Sequence, residues 1–218
     1  QIAKENSIPL VEDAAQAHGV KYKNQSIGFN SEFVAWSFYP GKNLGCFGDG
    51  GAITTNNDNI ANYIKKLRNY GSEKKYFHSE IGINSRLDTI QAGILNIKLN
   101  YLDDWNSRRN KIAEKYSSGI KNKLLTLPTK SKNSTHVWHL YVLKTNHRDK
   151  LQTYLTTKGI ETLIHYPLPL HKQKAYNLNI ELPIAQELAD TVLSIPIGPH
   201  MNNKDVSYVI DCLNGFKL

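Results

Sequence analysis

The sequence has no apolar run long enough to cross a bilayer and no signal-peptide pattern at its amino end. Cysteine is scarce as well, because only Cys46 and Cys212 occur, far apart and without the spacing of metal ligands. These absences argue against a membrane protein, a disulfide framework and a metal site. We therefore expect a cytoplasmic protein whose two thiols stay reduced.

Acidic residues are outnumbered by basic ones, 19 to 27, which gives a formal net charge of +8. A basic chain could bind nucleic acid, but here the lysines and arginines occur singly or in pairs, mixed with Asp, Glu or Asn. No basic run is interleaved with aromatic residues. The pattern predicts a solvated basic surface that favours anionic small molecules, and it predicts no nucleic-acid partner.

An initiator methionine is missing too, and residues 1–5 have the composition of a helix interior. We therefore expect that the chain is a fragment whose amino end falls inside a domain. Its 218 residues are enough for one large domain or two modest ones. We assign residues 1–106 to the carboxyl-terminal part of a large domain and residues 107–218 to a small second domain.

Three short apolar runs predict buried parallel strands of a layered α/β domain. They cover residues 8–11, 33–38 and 51–55. The first run leads into Asp13, and the second ends just before a turn that contains Lys42. Ligands of open parallel sheets bind at the carboxyl ends of strands, so both side chains are candidates for one crevice.

Helical periodicity follows these strands. A helix is predicted over residues 56–70, with an asparagine cap and Gly71 as its stop. A longer periodic segment begins near Arg86 and fits either one helix or two helices with a bend near Asp104. Polar connections are predicted over residues 21–30 and 72–84. The small α+β domain is predicted to have strands over 137–143 and 160–165 and helices over 149–158, 184–193 and 204–213.

The most informative stretch places Lys42 between an apolar strand and four glycines within residues 45–51. A lysine amine becomes a nucleophile when its site lowers its pKa or when a carbonyl compound captures it as an imine. Glycines let backbone pass close to a flat or bulky ligand. The stretch therefore fits a cofactor pocket with a Schiff-base lysine, and it fits a solvated lysine in a glycine-rich loop equally well.

Asp13 favours the cofactor pocket. Pyridoxal phosphate needs a lysine that holds its aldehyde and a carboxylate that keeps its pyridine nitrogen protonated, so that the ring acts as an electron sink. Lys42 and Asp13 are such a pair, Ser37 offers a hydroxyl for the phosphate, and Gln16 offers an amide for the ring hydroxyl. Taken alone, Asp13 fits an ordinary turn residue at the end of a strand better.

Six motifs, in order along the chain, resemble the DegT/DnrJ/EryC1/StrS family of nucleotide-sugar aminotransferases. They are residues 11–19 (VEDAAQAHG), 37–45 (SFYPGKNLG), 48–53 (GDGGAI), 67–72 (LRNYGS), 82–92 (GINSRLDTIQA) and 165–171 (HYPLPLH). The resemblance runs from Ile2 to the last predicted helix without a large gap. The variants YPG at residues 39–41, KY at 75–76 and NSR at 84–86 look most like the branch that aminates C3 of dTDP-linked keto-deoxyhexoses.

The resemblance implies a fold-type-I pyridoxal-phosphate transferase, similar to aspartate aminotransferase, with part of the large-domain sheet and a small α+β domain. Lys42 would be the catalytic lysine, and Asp13, Gln16 and Ser37 would contact the cofactor together with it. Asn84 would reach the cofactor phosphate of a neighbouring subunit, because the family builds its sites at the interface of a homodimer. A phosphate-binding helix start and a stacking aromatic residue of the family precede the segment where this chain begins.

The implied substrates are a nucleotide-linked keto sugar and L-glutamate, and the implied substrate-binding residues are Arg86, His165, Tyr166 and His171. The reaction would move an amino group from L-glutamate to a keto group, at C3, of a dTDP-linked 6-deoxyhexose. Its product would be an amino sugar for a surface polysaccharide, such as an O-antigen, or for a glycosylated metabolite. A C4-specific aminotransferase and a non-catalytic binding or regulatory relative remain alternatives.

Several of these residues have a plainer interpretation. Asn84 could simply turn the chain into the long helix or cap it, and Arg86 could pair near Asp88 instead of binding substrate phosphate. His165 and His171 could be packing or surface residues. We expect His18 to be a core histidine with satisfied hydrogen bonds and Cys46 to be a packed thiol.

Overall fold

The computed structural model describes residues 2–29, 31–176 and 178–218. Two compact units divide the chain. The first consists of Gln1–Asn106 and Ser131–Val137, and the second of Ser107–Lys130 and Trp138–Leu218. The chain therefore passes into the second unit, returns briefly to the first, and then enters the second unit again.

The first unit combines a three-stranded sheet with two small hairpins in its described residues. In chain order its elements are α1 (Ile2–Glu5), β1 (Val11–Asp13), β2 (Lys21–Tyr22), β3 (Gln25–Ser26), β4 (Phe33–Ser37), β5 (Gly51–Thr54), α2 (Asp58–Leu67), β6 (Ser72–Lys74), β7 (Phe77–His78) and α3 (Thr89–Leu99). Helix α4 (Leu102–Gly119) begins in this unit and continues into the second.

Strand β4 lies between β1 and β5 in the sheet. It runs parallel to β1, as predicted, but antiparallel to β5. The prediction of a parallel β5 is wrong because residues 38–50, which join β4 to β5, contain no helix to carry the chain back for a parallel strand. The outer strands are also less buried than predicted, since Val11 is 50% and Ile53 45% exposed.

The helices of the first unit begin and end close to the predicted positions. Asn57 caps α2, because its side chain accepts hydrogen bonds from the backbone N–H groups of Asn59 and Ile60. Gly71, at a φ of +73°, follows the end of this helix. The long periodic segment forms two helices, α3 and α4, which separate at Asn100.

The two polar connections contain hairpins that the sequence did not indicate. Strands β2 and β3 pair within residues 21–26, and β6 and β7 pair within residues 72–78. The segment Ser131–Val137 also joins the first hairpin, because Thr135 N donates to Lys21 O at 2.9 Å. These strands are only two or three residues long, which is too short for hydrophobic alternation to reveal them.

The second unit packs helices around a two-stranded antiparallel sheet. Its elements after α4 are β8 (Tyr141–Lys144), α5 (Arg148–Thr157), a 3₁₀ turn (Leu170–Lys172), α6 (Pro183–Thr191), β9 (Val192–Ile195) and α7 (Asn203–Gly215). The largest buried side chains of its core are Trp138, Tyr116 and Tyr141. Across the described residues, each helix is too short or too polar to span a membrane.

Two predicted strands of the second unit differ from the structure. The segment over 160–165 is not a strand, and only Leu163 pairs there, with Ser194. Prolines at 167 and 169 follow directly, and proline cannot donate to a strand ladder. The strand predicted over 137–143 begins only at Tyr141, because Trp138 has a φ of +46° and is not extended.

Candidate active site

Asp13 and Ser37 lie on one face of the sheet, at the carboxyl ends of β1 and β4. Asp13 is in register with Ala35, and Ser37 follows Ala35 by two residues on β4. Because side chains alternate along a strand, these three side chains share a face. Standard strand spacings put the Cα atoms of Asp13 and Ser37 about 8 Å apart. A carboxylate and a hydroxyl therefore share one end of the sheet.

Both side chains also take part in local turns. Asp13 Oδ1 accepts a hydrogen bond from Ala15 N at 3.0 Å, and Ser37 Oγ accepts one from Tyr39 N at 3.3 Å. Asp13 thus makes the contact that is expected of a turn residue at the end of a strand. A carboxylate has two oxygens, so this contact is compatible with a second role. Gln16 lies exposed in the turn that follows.

Lys42 lies half-buried in the loop that follows β4. Its backbone N–H donates to Tyr39 O at 2.9 Å, and Cys46 N donates to Phe38 O at 2.9 Å. The loop therefore leaves β4 and returns to the same end of that strand. The thiol of Cys46 is buried 3.0 Å from Phe38 O, which confirms that Cys46 is a packed thiol.

The glycines around Lys42 are explained by the packing of the loop itself. A Cβ on Gly45 would lie 2.5 Å from Pro40 O, and a Cβ on Gly50 would lie 2.9 Å from Cys46 Sγ. Both distances are shorter than a van der Waals contact, so any larger residue would displace the loop. At these two positions, packing of the chain against itself explains the glycines, and room for a ligand does not.

His18 is a buried neighbour of Lys42. It is 3% exposed, and its ring centroid lies 5.3 Å from that of Trp36 and 6.0 Å from that of Phe38. Within the described part of the chain, neither ring nitrogen has a hydrogen-bond partner. Burial, and secondarily the charge of Lys42, lower the pKa of His18 from 6.5 to about 4. The expected core position is confirmed, but the expected satisfied hydrogen bonds are not.

Asn43, the residue after Lys42, anchors the loop in a buried amide network. Its Nδ2 donates to Asn106 Oδ1 and to Val137 O, both at 2.8 Å. Asn106 Nδ2 in turn donates to His18 O at 2.9 Å. The sequence did not indicate this network, because the partners of Asn43 lie 63 and 94 residues away along the chain.

Asn84 and Arg86 lie exposed in the segment before α3. The backbone of Asn84 pairs with Asn69, and its Oδ1 accepts a hydrogen bond from Arg86 Nε at 3.1 Å. Asp88, rather than Asn84, occupies the N-cap position of α3. Asn84 thus lies in an isolated β-bridge four residues before the N-cap of α3, and it does not cap that helix.

His165, Tyr166 and His171 lie in the second unit and line one largely apolar cavity of about 920 Å³. His165 Nδ1 is 2.8 Å from Ser194 Oγ, and Tyr166 is 69% exposed. His171 is 5% exposed, as the packing interpretation expects. The other predicted site residues are in the first unit: Asp13, Gln16, Ser37, Lys42, Asn84 and Arg86.

The first-unit residues fit pyridoxal phosphate as far as this chain contributes to its site. A carboxylate, a hydroxyl and the loop of a half-buried amine occur at one end of the sheet. His18 is neutral above about pH 4, so it adds no second positive charge beside Lys42 at neutral pH. These are the groups that the ring nitrogen, the phosphate and the aldehyde of the cofactor require.

Comparison with known proteins finds transaminases among the relatives of this chain. Residues 1–214 match the DegT/DnrJ/EryC1/StrS aminotransferase family. The chain is 46% identical over 218 residues to dTDP-3-amino-3,4,6-trideoxy-alpha-D-glucose transaminase of Streptomyces venezuelae, covering 98% of this chain and 58% of the relative. It is 48% identical over 217 residues to dTDP-3-amino-3,6-dideoxy-alpha-D-galactopyranose transaminase of Aneurinibacillus thermoaerophilus, covering 99% of this chain and 60% of the relative.

The fold agrees with these sequence matches. The crystal structure of S. venezuelae DesV in complex with a ketimine intermediate superposes with a TM-score of 0.94 at 46% identity, covering 98% of this chain and 59% of that one. The chain therefore forms part of the fold of a fold-type-I aminotransferase. The chain spans about three fifths of the length of the relatives that it matches.

Proposed function

Since the chain belongs to the DegT/DnrJ/EryC1/StrS aminotransferase family, we propose that the whole protein is a nucleotide-sugar aminotransferase. The cofactor is pyridoxal phosphate, which the family and its cofactor-bound relatives support. The observation that carries the proposal is the family match over residues 1–214, together with Asp13, Ser37 and the Lys42 loop at one end of the sheet.

The cofactor, when bound, withdraws electrons from the carbon whose proton must leave. Nζ of Lys42 would take that proton from the substrate carbon, and in the second half of the reaction it would give a proton to the sugar carbon that receives the amine. The Asp13 carboxylate would keep the pyridine nitrogen protonated by its opposite charge. Ser37 would hold the phosphate, and Gln16 would contact the ring hydroxyl.

The remaining predicted residues bind the neighbouring subunit and the sugar. Asn84 reaches the cofactor phosphate of the second subunit of a homodimer, and Arg86 lies on the same segment. His165, Tyr166 and His171 bind the sugar nucleotide, and the cavity that they line within the second unit supports this assignment. We place this enzyme in the cytoplasm.

For the substrate, we propose transfer from L-glutamate to C3 of a dTDP-linked 6-deoxyhexose, in the biosynthesis of amino sugars for a polysaccharide such as an O-antigen or for a glycosylated metabolite. Both relatives named above are dTDP-3-amino-sugar transaminases, which supports C3 over C4. The presence of Lys42 argues against a non-catalytic relative, because the proposed proton transfer needs its amine.

The test uses the full-length protein with pyridoxal phosphate. The wild type should show the absorption band of lysine-bound cofactor, and borohydride should fix the cofactor to Lys42. Lys42→Ala should lose the band and lower turnover by roughly a thousandfold or more, whereas Lys65→Ala, at an exposed lysine of α2, should change neither. Full turnover by Lys42→Ala would contradict the mechanism.

Regiochemistry has its own experiment. The enzyme is supplied with L-glutamate and either a dTDP-3-keto- or a dTDP-4-keto-6-deoxyhexose, and the new C–N bond is located by NMR. We expect an amine at C3 from the 3-keto sugar only. An amine at C4 would overturn the substrate assignment and leave the aminotransferase assignment intact.

A further inference from the structure

Helix α3 presents two polar side chains to the loop that carries Lys42. Lys98 Nζ donates to Gly45 O at 2.6 Å and lies 4.6 Å from the ring centroid of Phe47. Gln91 Oε1 accepts a hydrogen bond from Phe47 N at 2.8 Å. The two helix residues thus hold a carbonyl and an amide on the carboxyl side of Lys42.

The apolar side chain between them completes the contact. Leu95 is buried and clusters with Leu44 and Cys46 of the loop. Positions 91, 95 and 98 are spaced by four and three residues, so their side chains form one stripe along the helix. Residues 44–47 therefore face a single helical surface that combines burial with two directed hydrogen bonds.

Lys98 is not an ordinary exposed lysine. Its side chain is half-buried, and in the described residues it forms no ion pair. Its ammonium is directed at one carbonyl and one aromatic face, both in the loop. A charge-assisted hydrogen bond and a cation–π contact together constrain the loop more than either does alone.

We propose that Lys98, assisted by Gln91, is a positioning residue that holds the Lys42 loop in the geometry needed for proton transfer. The proposal rests on the proposed aminotransferase function, in which Nζ of Lys42 moves the proton. Small displacements of a proton-transferring group lower turnover strongly while substrate affinity changes little. Lys98 acts only through the backbone of Gly45 and the ring of Phe47.

The test compares Lys98→Met, which keeps the stem but loses the donor and the charge, with Lys98→Arg, which keeps both. Lys65→Met is the matched control, because Lys65 is exposed on α2. The first measurement is hydrogen–deuterium exchange at residues 42–47 of the cofactor-free, full-length protein. We expect about tenfold faster exchange in Lys98→Met, wild-type exchange in the control, and recovery in Lys98→Arg.

The second measurement uses the cofactor-loaded protein. In Lys98→Met we expect kcat to fall about tenfold with KM nearly unchanged, and the pH midpoint of the lysine-bound cofactor band to shift from that of the wild type. Gln91→Met removes the acceptor for Phe47 N and should act in the same direction, and Gln91→Glu should restore it. This pair keeps the test decisive if Lys98→Met folds poorly.

The outcomes separate the two proposals. Wild-type exchange, kcat and pH midpoint in folded Lys98→Met would overturn the positioning role, as would a Lys98→Arg variant as impaired as Lys98→Met. Faster exchange with unchanged kcat would also overturn it, because the contact would then only stabilise the loop. Failure of the proposed function is different: the wild type itself would lack the lysine-bound cofactor band.

Discussion

The state of His18 predicts how the stability of the protein depends on pH. The native pKa of about 4 is below the ordinary value of 6.5, so between these pH values the unfolded chain binds a proton that the native protein excludes. The stabilisation by neutral His18 is therefore complete above pH 6.5 and is lost as pH falls toward 4. The full difference between the two pKa values corresponds to about 3 kcal/mol.

His18→Leu removes this proton site and keeps the side-chain volume similar. At pH 7.5 we expect a free energy of unfolding within about 1 kcal/mol of the wild type, because the lost ring contacts are offset by removal of two buried nitrogens without partners. Between pH 7.5 and pH 5, the free energy of unfolding of the variant should rise by about 2 kcal/mol relative to that of the wild type, because the variant lacks this proton site.

The assay is urea unfolding of the cofactor-free, full-length protein and its variant between pH 7.5 and 5. Both proteins share every other titrating group, so the difference between their stability curves isolates His18. NMR of ¹³C-labelled histidine adds a direct value, because the signal missing from His18→Leu identifies His18. Parallel stability curves, or a His18 midpoint near 6.5, would refute the argument that burial governs this residue.

Three further predictions concern contacts that hold each unit together. Gly45→Ala should destabilise the protein by about 2 kcal/mol and weaken cofactor binding, because its Cβ would clash with Pro40 O; urea unfolding and a cofactor titration measure both effects. Arg109→Met should cost roughly 3 kcal/mol in urea unfolding, because one guanidinium nitrogen contacts three backbone carbonyls of the second unit; retention of wild-type stability would show these contacts to be dispensable. Asn202→Ala should lower the free energy of unfolding by about 1 kcal/mol, because Asn202 forms the capping box of α7. Asn202→Ser should recover most of this stability, and equal losses in the two variants would exclude a capping effect.

The sequence revealed the parts of the fold that depend on short-range pattern. Apolar runs located β4 and β5, the run over residues 8–11 ended where β1 begins, and helical periodicity located α2 and the helices after Arg86. The direction of β5 was missed because direction depends on how the chain returns, which apolar content does not encode. The strand over 160–165 failed for a related reason: its residues are apolar enough, but the prolines that follow and the available partner strand limit pairing to Leu163.

The candidate site divides in the same way. Asp13, Ser37 and Lys42 could be grouped because each follows or ends a strand, and strand ends meet at one edge of a sheet. The supports of the Lys42 loop could not, because Lys98 meets Gly45 across 53 residues of chain. Nor could pattern alone reveal that the buried ring of His18 lacks hydrogen-bond partners in the described chain, since that depends on every neighbour at once.

The return of Ser131–Val137 to the first unit has a consequence for recombination between relatives. A chimaera that exchanges everything after residue 106 would also exchange the strand-like segment whose Thr135 pairs with Lys21. Each unit is inherited whole from one parent only when three crossover points are used, at the residues where the chain changes unit. Recombination between this chain and its relatives should therefore yield more folded progeny when residues 131–137 are inherited together with the hairpin at 21–26.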